Sequence, residues 1–244
     1  MFTTLVATAL FLANQTSVDL THTLSEKTVV YPGKTPFSKV ICSYYESGYR
    51  LDDIHLSTGI GTHMDAPSHF CPEGSGIEAV PIEQCYGEAC VVHLTSRVGT
   101  NADYAITKAD LEEWESSHGP FPAHSIVLLH TGWDKHWDTI QFCQTDETGV
   151  SHFPGLSGDG AQLLVERKVS AVGIDTMGMD VGAATQFVAH NVLLGADIIL
   201  IENLANLSLL PEVGSTVFLL PMKIKDAPES PVRAIAIFNK AKKN

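Results

Sequence analysis

Residues 59–70 read Gly-Ile-Gly-Thr-His-Met-Asp-Ala-Pro-Ser-His-Phe, and no other stretch constrains the fold of this chain so tightly. An extended backbone alternates its side chains between faces, so His63 and Asp65 point the same way. An imidazole and a carboxylate on one face make half of a divalent-cation site. Pro67 ends regular ladder pairing and redirects the backbone, which turns His69 back toward the same space as a third titratable group. Gly59 and Gly61 add no bulk on that side, so a ligand or a second backbone can approach closely. A His-x-Asp pair by itself is ordinary surface hydrogen bonding, and a cation site needs a second segment.

Residues 183–207 supply one. Residues 183–194 have helical character with Gly195 as C-cap, which places Gln186 and His190, i and i+4, on one face. The apolar, mostly β-branched run Ile198–Ile201 reads as a buried strand, and it ends directly in Glu202. A carboxylate after four buried aliphatics is costly unless it is paired, protonated or bound to a cation. Basic partners are scarce, with 15 Lys and Arg against 28 Asp and Glu. A satisfied helix histidine and a capping carboxylate are the plainer readings of His190 and Glu202.

Taken together, the two segments resemble the cyclase family of metal-dependent hydrolases, which includes bacterial kynurenine formamidases. The signature His-x-Gly-Thr/Ala-His-x-Asp-x-Pro-x-His is matched over residues 59–69 at every defined position except the first, where this chain has Gly59. The later His followed twelve positions on by Glu is matched by His190 and Glu202. Further similarity runs through Asp19–His22, Thr131–Trp133, His152–Leu156, Gly173–Thr176 and Glu202–Leu204, so the resemblance spans roughly residues 18–240. It implies a swivelling β/β/α fold around a barrel-like sheet and a Zn²⁺ or Mn²⁺ cofactor held by His63, Asp65, His190 and Glu202. Likeness to the isatin hydrolases of the same family adds the amide oxygen of Gln186 to that set. His55 shares the alternation parity of His63 but lies about 26 Å away along an extended strand, so it cannot take the place vacated at Gly59.

The resemblance also implies a chemistry. A bound divalent ion lowers the pKa of water toward ~7 and polarises a carbonyl. His69, the family's catalytic residue, serves as general base and then protonates the leaving group. The expected substrate is a small molecule with an aryl formamide of the N-formylkynurenine type, which would place the chain in tryptophan catabolism. Ring-opening of a lactone or a cyclic amide such as isatin is the alternative. A non-catalytic metal- or ligand-binding protein on the same scaffold is the reading that Gly59 favours and His69 opposes. A homodimer or homotetramer is expected from the family.

Composition excludes other classes. The net charge is −13 and there is no basic stripe, so no nucleic-acid partner is expected. The five cysteines, an odd number at irregular spacing, do not form a disulfide framework. Cys71, close behind the motif, reads as a packing residue rather than a nucleophile. Residues 1–17 form an apolar N-terminal extension to a single domain over 18–244. Its apolar run at residues 5–13 has no preceding Lys or Arg and is too short to span a bilayer. No membrane association and a cytoplasmic location follow as expectations.

The remaining elements indicate an α/β or α+β chain with a mixed sheet. Strands are expected at Thr28–Tyr31, Lys39–Ser43, Ala89–Leu94, Ser125–His130, Ala171–Asp175, Ile198–Ile201, Thr216–Leu220 and Val232–Phe238. Helices are expected after Thr107, which is a good N-cap, and over Ser157–Arg167. Asp175 and Asp180 flank a Met177-Gly-Met turn and read chiefly as turn-capping residues. Trp133, after the apolar strand ending at His130, is a candidate aromatic wall for a planar substrate.

Overall fold

The computed structural model describes residues 15–239. The apolar run at residues 5–13 lies outside the described residues. Residues 15–17, assigned above to the extension, belong to the first strand.

In chain order the strands are β1 (Gln15–Asp19), β2 (Ser38–Ser43), β3 (Leu51–His55), β4 (His63–Asp65), β5 (Tyr86–His93), β6 (Ala105–Ile106), β7 (Ile126–His130), β8 (Gly155–Leu156), β9 (Ala171–Ile174), β10 (Ile199–Glu202), β11 (Ser215–Pro221) and β12 (Glu229–Asn239). The α-helices are α1 (Thr95–Val98), α2 (Lys108–His118), α3 (Gly158–Arg167) and α4 (Val188–Leu194). The main sheet runs β12-β11-β5-β7-β9-β10-β4, and β4 pairs again with β12, so the sheet closes on itself. This is the mixed, barrel-like sheet expected from the sequence.

Strands β5, β7, β9 and β10 are mutually parallel, and the connections between them carry α2, α3 and α4. Parallel neighbours require such crossovers, and helices covering the outer face explain why these strands are apolar on both sides. The strands around the closing seam are antiparallel. Two large apolar cores result. Residues such as Met64, Val91, Leu128, Ile201 and Ala234 fill the barrel. Cys90, Val127, Val172 and Leu200 instead meet Leu111, Leu163 and Leu193 of the helices. Truncating a barrel leucine such as Leu128 to alanine would cost about 2–5 kcal/mol.

Local sequence sets the helix ends. Thr107 and Asp110 form a reciprocal capping box at the start of α2. The Ser157 side chain accepts from Gly160 N at the start of α3. Two expectations need correction. Thr28–Tyr31 is irregular rather than a strand, because Val29, Val30 and Tyr31 face an open cleft rather than a strand partner. The helix expected from residue 183 begins only at Val188, for a reason that lies in the site itself.

Candidate metal centre

The site is built on β4, which the closing seam gives a strand neighbour on each side. His63 stands opposite Glu202 of β10 and Pro231 of β12, and Asp65 stands opposite Glu229 of β12. Directly opposed residues share a face, so His63, Asp65, Glu202 and Glu229 project together. Met64, between them, points the other way into the barrel core. The bend into β4 uses Gly61 at φ +62°, the left-handed region that glycine enters without strain. The Gly61 carbonyl then accepts from His63 Nδ1 at 2.7 Å and from Asn203 Nδ2 at 2.8 Å. A carbonyl cannot donate, so the His63 proton is on Nδ1 and Nε2 presents its lone pair to the site.

His190 is oriented by the same device. Its Nδ1 donates to Asp180 Oδ2 at 2.6 Å, which leaves Nε2 aimed at the centre. Asp180 also accepts from the backbone N–H of Ala189 at 2.7 Å and of His190 at 3.1 Å. These bonds fix the first turn of α4 at Val188 and leave Gln186 outside the helix. Gln186 sits on an exposed bend whose carbonyl accepts from Val188 N, and it does not border the cleft. The i, i+4 relation with His190 is therefore lost, and the structure does not bring Gln186 to the cation donors.

The remaining donors converge. His63 Nε2 is 3.4 Å from Asp65 Oδ1 and 3.4 Å from Glu202 Oε2. His190 Nε2 is 3.6 Å from Asp65 Oδ2 and 3.1 Å from Glu202 Oε1. Each carboxylate thus turns one oxygen to each imidazole. His69 comes from the short 3-10 turn Pro67–His69 and stands on the cleft side of the cluster, with its side chain 24% exposed. Its ring lies 6.0 Å from that of His190, and Phe70 stacks on His190 at 4.7 Å.

Both carboxylate oxygens of Asp65 are fully buried and accept no hydrogen bond. Orphaned buried oxygens among imidazole nitrogens and a second carboxylate form the donor chemistry of a divalent cation. The residues fit such an ion, and the mixed nitrogen and oxygen set accepts Zn²⁺ or Mn²⁺. The electrostatics agree. Burial alone would raise the Asp65 carboxyl, but the imidazoles of His190, His63 and His69 gathered around it pull it down to about 2. Burial alone would lower His190, but its hydrogen bond to Asp180 and the nearby Asp65 and Glu202 carboxylates raise it well above an ordinary imidazole. The pocket is strongly cation-seeking.

The other candidates resolve differently. Trp133 is buried, donates its indole N–H to the Phe142 carbonyl at 2.9 Å and packs with Phe142, Phe153 and Met177. It stands behind the cleft wall rather than on it, and the aromatics that line the cleft are instead Phe70, Phe153 and Phe187. These aromatics border a cavity of about 260 Å³. Cys71 does not border it either and packs against the helix-side core. Asp175 holds the Thr131–Trp133 turn instead of the Met177 turn, accepting from Thr131 N and Oγ1, Gly132 N and Trp133 N. His130 and Asp134 lie close to Asp175, but those donors already occupy its oxygens and His130 Nδ1 faces His93 Nδ1 at 2.7 Å. That grouping is a structural clamp.

The sequence reading gave Asp180 a turn-capping role, where the structure has it holding His190, and it missed Glu229 and Lys34. Glu229 carried no signal like that of Glu202: it opens β12 after Asp226-Ala-Pro rather than ending an apolar run.

The profile of the cyclase family matches residues 18–181. The chain belongs to the cyclase family. This cyclase-family chain is 31% identical over 190 residues to the isatin hydrolase of Roseibium aggregatum, covering 74% of this chain and 72% of that one. It is 28% identical to the kynurenine formamidase of Paracidovorax citrulli, covering 84% and 89% respectively. Among solved structures, an isatin hydrolase bound to the product analogue thioisatinate superposes with a TM-score of 0.90 at 27% identity, over 96% of this chain and 97% of that one. The chain is a hydrolase of this family.

Proposed function

We propose that this protein hydrolyses the C–N bond of an aromatic amide, and that the substrate is a cyclic amide of the isatin type. The observation that carries hydrolysis is the pair of unpartnered Asp65 oxygens set between His63, His190 and Glu202. His63, Asp65, His190 and Glu202 would hold the divalent ion, which supplies Lewis acidity to a carbonyl and acidifies water.

The rest is the work of the chain's own side chains. Phe70, Phe153 and Phe187 sandwich a planar ring in the cleft and keep bulk water out. His69 Nε2 takes a proton from the attacking water as its oxygen bonds to the amide carbon. It returns that proton to the nitrogen as the C–N bond breaks, which gives an amine and a carboxylic acid whose remaining proton is lost to solvent. Asp180 and the Gly61 carbonyl keep His190 and His63 in fixed tautomers throughout.

The choice of a ring over the formamide expected from the sequence rests on likeness. Isatin hydrolase structures superpose on this chain at TM-scores of 0.89–0.90, and the isatin hydrolase of Roseibium aggregatum is 31% identical, against 27–28% for the formamidase relatives. An N-formylkynurenine-type formamide is the second reading, supported by formamidase relatives that align over 84–89% of this chain. Assaying the metal-loaded protein on isatin and N-formylkynurenine in parallel tests both. Ring-opening abolished by a chelator is the expected result. Turnover of the formamide alone would select the second reading, and activity unaffected by chelation would refute the metal-dependent mechanism.

A further inference from the structure

Glu229 is a buried carboxylate that the four donors above do not include. Its side chain is 7% exposed, and β12 places it opposite Asp65 on the shared face. Oε1 lies 3.9 Å from His63 Nε2 and 3.8 Å from His69 Nε2, so it faces the centre rather than solvent. Its other neighbours are Lys34 Nζ, 2.6 Å from Oε1, and Thr58 Oγ1, which donates to Oε2 at 3.3 Å.

Its position answers the break in the motif. A Cβ on Gly59 would sit 1.9 Å from Glu229 Oε1 and 2.5 Å from its carboxyl carbon. The carboxylate therefore fills the space into which a side chain at residue 59 would grow. Two elements remote in sequence are mutually dependent here: glycine at 59 is required for Glu229 to lie where it does. The charge balance points the same way. Asp65, Glu202 and Glu229 crowd one buried face beside His63 and His190, and among the described residues Lys34 is the one lysine that borders the cleft. Three buried carboxylates on one face draw positive charge into the space between them.

We propose that Glu229 is a cation ligand of this centre, standing at the His63 end in the room that Gly59 leaves free. The proposal rests on the reading of the centre as a divalent-metal site. It makes the His63 end oxygen-rich, with Asp65 Oδ1, Glu202 Oε2 and Glu229 Oε1 around one imidazole. Such a set favours Mn²⁺ over a softer, nitrogen-preferring ion. Lys34 then acts as a competitor for Oε1, released toward the cleft as the cation is taken up.

The test is calorimetric titration of the purified full-length protein with MnCl₂, checked by electron paramagnetic resonance of the bound ion. Glu229→Gln keeps the shape and the Thr58 contact but removes the anionic donor, and it should weaken Mn²⁺ at least about tenfold. Gly59→Ala leaves the carboxylate in place chemically but pushes it aside, and it should weaken Mn²⁺ and broaden the resonance in the same direction. Lys34→Met removes the competitor and should tighten Mn²⁺ severalfold. If Glu229 merely pairs with Lys34, Glu229→Gln and Lys34→Met would lose similar thermal stability and both would bind Mn²⁺ with wild-type affinity. That outcome overturns the ligand assignment and leaves the metal reading intact. Wild-type protein that takes up neither Mn²⁺ nor Zn²⁺ would overturn both.

Discussion

Asp180 offers the sharpest test of how this centre is held together. Its buried carboxylate accepts three N–H groups, from Ala189, His190 and the His190 ring, at 2.7, 3.1 and 2.6 Å. Asp180→Ala removes the acceptor for the first turn of α4, a loss of about 1 kcal/mol. It also strands a buried imidazole N–H, which costs a further 1–3 kcal/mol or so. A total of about 2–4 kcal/mol corresponds to a fall in melting temperature of about 4–16 °C for a domain of this size. The same change frees the His190 ring to rotate or to place its proton on Nε2. Metal affinity should then drop about 10–100-fold, or about 1.4–2.7 kcal/mol. Asp180→Asn separates the two effects, because an amide oxygen still caps the helix but pairs weakly with the imidazole. It should recover most of the stability and little of the affinity. Thermal melts in chelator measure the first quantity and Mn²⁺ titration the second. If Asp180→Ala binds Mn²⁺ within twofold of wild type, the argument that this carboxylate orients a metal-binding imidazole is wrong.

Other perturbations follow from the same geometry. His69→Ala should retain metal and lose about 10²–10⁴-fold in turnover, and a variant that keeps its rate would remove His69 from proton transfer. Gly155→Ala would set a Cβ 2.2 Å from the backbone of Asp180 and Val181, so that segment must move. A loss of about 3 kcal/mol or more in denaturant melts, together with weaker metal binding, is expected. Saturating metal at about 100 times its dissociation constant should raise stability by about 2.7 kcal/mol over chelated protein, as seen in paired melts. Burial pushes the Asp175 carboxyl up to about 7 in spite of its hydrogen bonds to Thr131 and Gly132. A folded pKa above the unfolded one means that this stability is complete below about pH 4 and is lost as pH rises through about 7. Asp175→Asn should flatten the wild-type decline across that window in urea melts. His130 works in the opposite sense, since burial and the neighbouring His93 hold it down to about 4. Its contribution fades as pH falls from about 6.5 to about 4, and His130→Asn should reduce that acid-side loss.

Much of this was legible in the sequence because it is local. Alternation alone put His63 and Asp65 on one face, and an apolar run broken by Glu202 marked a carboxylate that needed a partner. The parallel strands announced themselves as apolar runs, and Thr107 and Ser157 marked their helix starts. The rest depends on register between distant segments. Helical periodicity made Gln186 and His190 neighbours, but it could not register that Asp180 captures the N–H groups at residues 189 and 190 and starts the helix later. An aromatic after a strand has no readable direction, so Trp133 looked as eligible for the cleft as for the core. Glu229 reaches the site only because β12 pairs with β4 opposite Asp65. Without that register its carboxylate was one acidic residue among 28.

The double pairing of β4 has a kinetic consequence. A three-residue strand with a neighbour on each edge is the last piece needed to close the ring, and its partners come from the far end of the chain. Loop-closure entropy makes such distant contacts late events in folding. The donors that recognise a cation are therefore brought together by the step that shuts the barrel. During refolding, uptake of Mn²⁺ should lag behind the recovery of helical signal and coincide with the final gain of rigid packing. The ion would serve as a clock for closure.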